Sequence, residues 1–181
     1  MTAPITDTCI FAGDRYALIA ADNGRLMSPY QFGMKPRMNS TACYSGFYAT
    51  FKFSGKSLIL ARLVLTTKNE SYLPIDGITP RYDDREHAWV YSGLTENIPY
   101  TGKIRLGKWL DFWNDTNSCE NVALYAGYPG DRAASIFSTV VDITLCSGSI
   151  AEIKDRSEEI DSIEYNELNG DHGTKSGTSL Y

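Results

Sequence analysis

The sequence contains no apolar run near the roughly 20 residues that cross a bilayer, so no membrane-spanning helix is expected. Its first residues, Met-Thr-Ala-Pro-Ile-Thr-Asp-Thr, lack the basic and apolar regions of a secretory leader, and a cytoplasmic location is the expectation. Histidine is scarce, with only His87 and His172. The signatures of phosphate cradles, dinucleotide folds, serine hydrolases and zinc proteases are missing (no GxxxxGK[ST], GxGxxG before a helix, GxSxG or HExxH), so no catalytic residue and no cofactor are assigned. Four cysteines stand at 9, 43, 119 and 146 without metal-ligand spacing. They read as free thiols, with Cys9, Cys43 and Cys146 acting as small hydrophobes in strands. No repeat of solenoid or propeller length is present.

A charge of one sign is also missing from most of the chain. Residues 1–151 carry 14 acidic and 14 basic side chains, and residues 152–181 carry 8 and 3, which accounts for the whole net charge of -5. A neutral body excludes a strongly electrostatic surface, so neither nucleic acid nor membrane is expected as a partner.

What the chain does have is β-strand signal. Its centre is Thr41–Thr67, where Phe47, Ala49, Phe51 and Phe53 alternate with polar positions before a Ser-Gly-Lys turn. The return run Leu58-Ile-Leu-Ala-Arg-Leu-Val-Leu65 is apolar at both parities, the pattern of a strand covered on two faces. Arg62 interrupts it; a carboxylate partner or solvent suits this side chain better than a ligand cleft. Residues 8–12 and 15–21 read as a hairpin around Gly13-Asp14, and residues 22–39 as a loop that Phe32 and Met34 tuck against the sheet. The prolines of 72–80 predict an edge segment or ordered loop, and 81–87 a charged loop. Short strands follow at 88–91, 103–107 and 122–125. The run Lys108–Trp113 is either a helical turn or more strand. A second long strand covers Ile136–Cys146, and 149–153 pairs back through Ser147-Gly148. From about 155 the aliphatic pattern stops, and Ser157–Tyr165 holds at most a turn or two of helix.

This pattern predicts an all-β fold, an antiparallel β-sandwich or flattened barrel with little helix. Residues 1–155 form one β-sandwich domain on this reading, and 156–181 an acidic, largely disordered tail.

Twelve Tyr, seven Phe and three Trp supply the candidate site. Large amphipathic rings in loops suit protein interfaces and also sugar stacking, and the same rings plug the ends of sandwiches. The candidate partner- or ligand-binding residues are Tyr82, Asp83, Asp84, His87, Trp89, Tyr91 and Tyr100. His87 has acidic neighbours but no recognisable nucleophile. Asp83, Asp84 and Glu86 are the right type for a hard cation, yet Arg81 and Arg85 balance them, and a surface ion-pair loop is the simpler reading.

Two segments carry a resemblance. Ser45-Gly-Phe-Tyr-Ala-Thr-Phe-Lys-Phe53 with Leu58-Ile-Leu60 is one, and Ile75-Asp-Gly-Ile-Thr-Pro80 followed by Tyr91–Gly107, including Ile98-Pro-Tyr-Thr-Gly102, is the other. Together, over roughly 41–155, they resemble a group of uncharacterised bacterial β-rich proteins, some immunity-like or toxin-associated. Ser45 stands where that group often has Arg. The shared motifs are a strand and a turn, so no catalytic residue is carried over. The resemblance implies a non-enzymatic cytoplasmic module that binds another protein, in an immunity-like way that neutralises its partner. The alternatives are a small-ligand or glycan-binding β-sandwich using Trp89, Tyr91 and Tyr100, and a hydrolase-type enzyme with a site near Asp83–His87.

Overall fold

Nine strands account for nearly all regular structure in the described residues, 5–109 and 137–158 of a computed structural model. They are β1 (Thr8–Phe11), β2 (Asp14–Ala21), β3 (Phe47–Ser54), β4 (Ser57–Leu65), β5 (Arg81–Asp83), β6 (Ala88–Asn97), β7 (Gly102–Trp109), β8 (Phe137–Cys146) and β9 (Ser149–Asp155). The helical content among these residues is the 3-10 turn Pro29–Phe32 and 3-10 geometry at Ser157 and Glu158. The expected all-β class holds. The strand at 122–125, the end of the Lys108–Trp113 run, and the tail from 159 lie outside the described residues.

The sheet closes on itself. Strands run in the order β3-β1-β2-β7-β8-β9-β4, and β4 pairs again with β3, making a seven-stranded barrel from which β6 and β5 extend as a flap beyond β4. Of the two expected forms, sandwich or flattened barrel, the barrel is the one found, and two features differ from an antiparallel sandwich. The sheet is one closed wall rather than two stacked layers, and β1 pairs with β3 in parallel, Thr8 opposite Thr50 and Ile10 opposite Lys52. A parallel neighbour needs a long return connection, and residues 22–46 provide it.

The apolar doubling of β4 has a specific cause. Thr50 faces Arg62 but Phe51 faces Leu60, so Ala61 is an extra residue in β4. A bulge shifts the side-chain alternation by one position. Leu58 and Leu60 before it and Leu63 and Leu65 after it therefore all point into the barrel, each at most 1% exposed. Ile59 and Val64 are buried on the outer face, Val64 against Ala88, Val90 and Tyr48. The interior is completed by Cys9, Phe47, Ala49, Phe51, Ile104, Leu106, Ile143 and Leu145. Each fully buried Leu, Ile or Phe contributes about 1.5–3 kcal/mol. Leu26, Met27, Met34 and Ile75 come from the long loops and join the same cluster. Cys146 ends β8 exposed, unlike Cys9 and Cys43, because it pairs with Ser149 at the hairpin turn.

Two devices hold the wall at defined places. Gly46 opens β3 with φ +77°, and a Cβ there would lie 2.1 Å from the Arg37 carbonyl oxygen; no other residue fits. Across β7 and β8, Arg105 and Asp142 face each other and form a two-pronged ion pair of 2.6 and 2.8 Å. Arg156 adds a contact of 3.5 Å to the same carboxylate.

Closure between β9 and β4 is brief. It consists of one pairing, Ser57 with Ser149, with Leu58 N–H donating to Gly148 O (2.7 Å) and Ile150 N–H to Lys56 O (2.9 Å). Past that point β4 turns to β6, Ile59 opposite Asn97 and Leu65 opposite Trp89.

Candidate functional site

The flap brings part of the aromatic set together. Residues 81–83, too short and charged to read as a strand, pair with 90–88, so Tyr82 lies opposite Trp89. Trp89 is held between two rings, Tyr72 at 4.8 Å and Tyr82 at 5.8 Å between centroids. Tyr72 reaches this stack from the 66–80 loop, and its hydroxyl oxygen accepts the Thr67 N–H at 3.4 Å. Tyr82 remains 51% exposed. A groove of about 660 Å³ runs beside it, lined by Ile78, Thr79, Arg81, Tyr82, Asp83 and Ser92 among others. That volume is in the range of ligand and side-chain pockets.

The turn of the β5–β6 hairpin is locked from both ends. Asp83 Oδ1 accepts the N–H groups of Arg85 (2.9 Å) and Glu86 (3.3 Å). These two backbone bonds hold its carboxyl below the ordinary aspartate value. Glu86 folds back over the barrel, where Arg62 donates to its Oε1 at 2.7 Å and the Tyr48 hydroxyl donates to its Oε2. Burial, then the hydrogen bond to Glu86 and its charge, push the Tyr48 hydroxyl pKa well up. For Arg62, burial acts to lower its pKa, but the Glu86 bond and charge outweigh it and the net shift is upward. Asn39 Nδ2 donates to the Glu86 carbonyl at 3.4 Å, tying in the long loop. Arg62 has the carboxylate partner expected of it.

The seven candidates separate into three groups. Tyr82 and Asp83 line the groove, while Trp89 packs between Tyr72 and Tyr82 and is not among its lining residues. Asp84 and His87 are exposed on the hairpin turn, His87 with φ 47°. Tyr91 and Tyr100 are buried. Tyr91 donates its hydroxyl to Leu73 O at 2.8 Å inside the core, and burial pushes its pKa to about 12. Tyr100 accepts the Asn23 N–H at 2.9 Å. Neither ring offers a partner a surface.

Two of the three acidic side chains around His87 are employed elsewhere: Asp83 on the turn backbone, Glu86 on Arg62 and Tyr48. Among the described residues the ion pair of this hairpin is Arg62–Glu86, and the charges of Arg62 and Arg85 add to the backbone bonds that lower the Asp83 carboxyl. Among the described residues no cluster of three His, Cys, Asp or Glu is arranged to hold a metal ion, and no helix is long and apolar enough to cross a membrane. Tyr48 and Tyr72 were not among the sequence candidates; Arg62 was expected to find a carboxylate, and Glu86 was weighed only as a possible cation ligand.

Comparison with protein families, with curated proteins and with solved structures finds no match.

Proposed function

We propose that this chain is a non-enzymatic, cytoplasmic protein-binding module, immunity-like in neutralising its partner, and that the β5–β6 flap is its binding face. The observation that carries this is the half-exposed Tyr72–Trp89–Tyr82 stack, whose Tyr82 borders a polar groove lined also by Arg81 and Asp83. Aromatic anchors with Arg neighbours are the residue types that dominate interface energetics. The anchoring of Glu86 to Arg62 and Tyr48 supports the reading, because a hairpin held in place before binding loses less entropy on docking.

The test is quantitative capture from native cells with the intact chain as bait, beside Tyr82→Ala and Arg81→Glu. One near-stoichiometric protein is expected on wild type, with loss of most binding in Tyr82→Ala. Absence of any such protein, or equal capture by both variants, overturns the proposal.

A second reading is favoured by the size and polarity of the groove: a small ligand or glycan stacking on Tyr82. It predicts a thermal shift with a sugar or nucleotide that Tyr82→Ala removes, and a screen without shifts counts against it. Tyr91 and Tyr100 do not contribute to it.

A further inference from the structure

The groove beside the flap carries two opposite charges that do not meet. β5 sets Arg81 opposite Val90 and Asp83 opposite Ala88. Val90 and Ala88 pack with Val64 and Tyr48 on the outer face of the barrel, so Arg81 and Asp83 stand on that face. Ser92, two residues beyond Val90 on β6, stands there too. Arg81, Asp83, Val90 and Ser92 all line the groove, together with Ile78 and Thr79. Two residues along a strand are about 7 Å apart, and Arg81 and Asp83 form no ion pair with each other. Among the described residues no hydrogen bond or ion pair engages the exposed Arg81 side chain. Asp83 accepts the turn N–H groups with Oδ1 alone, and its Oδ2 has no hydrogen bond among the described residues. Of the two cations that act on Asp83, Arg62 is paired with Glu86, and Arg85 sits on the exposed turn.

We infer that the groove takes an extended segment of the protein partner that carries one acidic and one basic side chain two residues apart. This rests on the flap being the binding face. Side chains at i and i+2 of an extended chain point to one side, at the same spacing of about 7 Å that separates Arg81 from Asp83. The acidic group meets the Arg81 guanidinium, whose planar fork suits a carboxylate. The Thr79 and Ser92 hydroxyls, on the side of Arg81 away from Asp83, are further donors to it. The basic group meets the Asp83 carboxylate. Val90 and the half-buried Ile78 receive the methylene stems of the two side chains. A segment with two like charges sets one of them against a like charge of the groove, which disfavours it. The segment can run in either direction, so the order of the two charges along it is free.

An NMR titration of the isotope-labelled full chain tests this, with capped peptides as probes: Thr-Glu-Val-Lys-Thr, and the same peptide with Glu/Glu, Lys/Lys or Gln/Gln at its two charged positions. Wild type is expected to bind Glu/Lys most tightly, with shifts centred on residues 78–83 and 90–92. The like-charged peptides bind about threefold to tenfold more weakly, and the difference shrinks as salt is added. Arg81→Glu removes no side-chain bond among the described residues, makes both groove charges negative and moves the preference to Lys/Lys. Asp83→Asn keeps the acceptor of the turn N–H groups and makes Glu/Glu bind at least as well as Glu/Lys. A thermal melt verifies the folding of each variant. The inference is overturned by a wild type that binds Gln/Gln as well as Glu/Lys, by shifts centred elsewhere, or by no binding of any peptide. A folded variant whose preference does not move overturns it too. The flap reading is judged separately: a partner held by wild type, lost in Tyr82→Ala and kept in full by Arg81→Glu upholds the flap and overturns the charge pairing.

Discussion

Replacing Asp142 by Asn tests the barrel at its most committed electrostatic contact. The side chains of Arg105 and Asp142 are only 4% and 6% exposed, and the two oxygens accept separate guanidinium N–H groups at 2.6 and 2.8 Å. Removing one charge of a buried pair leaves the other desolvated without it, which costs about 3–5 kcal/mol. A domain of this size has a total stability of about 5–15 kcal/mol. At about 2–4 °C per kcal/mol, the loss corresponds to roughly 6–20 °C in Tm. The pH dependence carries a second signature. Burial raises the Asp142 pKa, but the hydrogen bonds and charge of Arg105, with Lys103 and Arg156 beyond, outweigh it and the net shift is downward. A carboxyl with a lowered folded pKa contributes stability that is present above its unfolded value of about 3.9 and lost as pH falls through the folded one. The gap between wild type and Asp142→Asn in urea unfolding is therefore wide at neutral pH and closes below about pH 4. Arg105→Met/Asp142→Leu, which removes both charges, should recover much of the loss. A gap under about 1 kcal/mol at neutral pH, or one that does not change with pH, would refute the reasoning.

Asp7 titrates in the opposite sense. Burial raises its carboxyl pKa despite the Ala49 N–H bond (2.8 Å) and the charge of Arg25. Its stabilising contribution is full below the unfolded pKa and is lost as pH rises through the folded one. Asp7→Asn keeps the acceptor for Ala49, so it should match wild type in acid and exceed it at neutral pH in thermal melts. Gly46→Ala forces a left-handed residue against the Arg37 carbonyl and should cost more than about 3 kcal/mol by urea unfolding. A thiol reagent should label Cys146 at once. Cys9, whose pKa burial pushes to about 12, and Cys43 should react only when the protein unfolds.

The hairpins β1–β2, β3–β4 and β8–β9 were legible because alternation, apolar faces and Gly turns agree within each. Phe47, Ala49 and Phe51 point inward as their spacing indicates. β3 begins at Phe47 rather than Thr41 because Gly46 turns the chain just before it. The bulge at Ala61 was not legible, since a run apolar at both parities reads equally as a two-faced strand. Residues 92–97 look like loop chemistry, Ser-Gly-Leu-Thr-Glu-Asn, yet continue β6, because β4 provides a partner for both ends of that run. The parallel β1–β3 contact depends on where a 25-residue connection returns, which no local pattern encodes. In the site, the exposed aromatic–charged hairpin was legible from Tyr82 to Trp89. The burial of Tyr91 and Tyr100 was not, because a tyrosine suits a surface and a core with a polar exit equally well. Glu86 reaches Arg62 and Tyr48 across 24 and 38 residues, a separation at which a single sequence carries no signal.

The claim that the β5–β6 flap is the binding face is tested most directly by photo-crosslinking in native cells, with the reactive residue placed at Tyr82 and, as control, at Lys56 on the β3–β4 turn. The account predicts one dominant protein adduct from Tyr82, none from Lys56, and its loss when Glu86→Ala releases the hairpin. No adduct at Tyr82, or the same adduct from both positions, would contradict it.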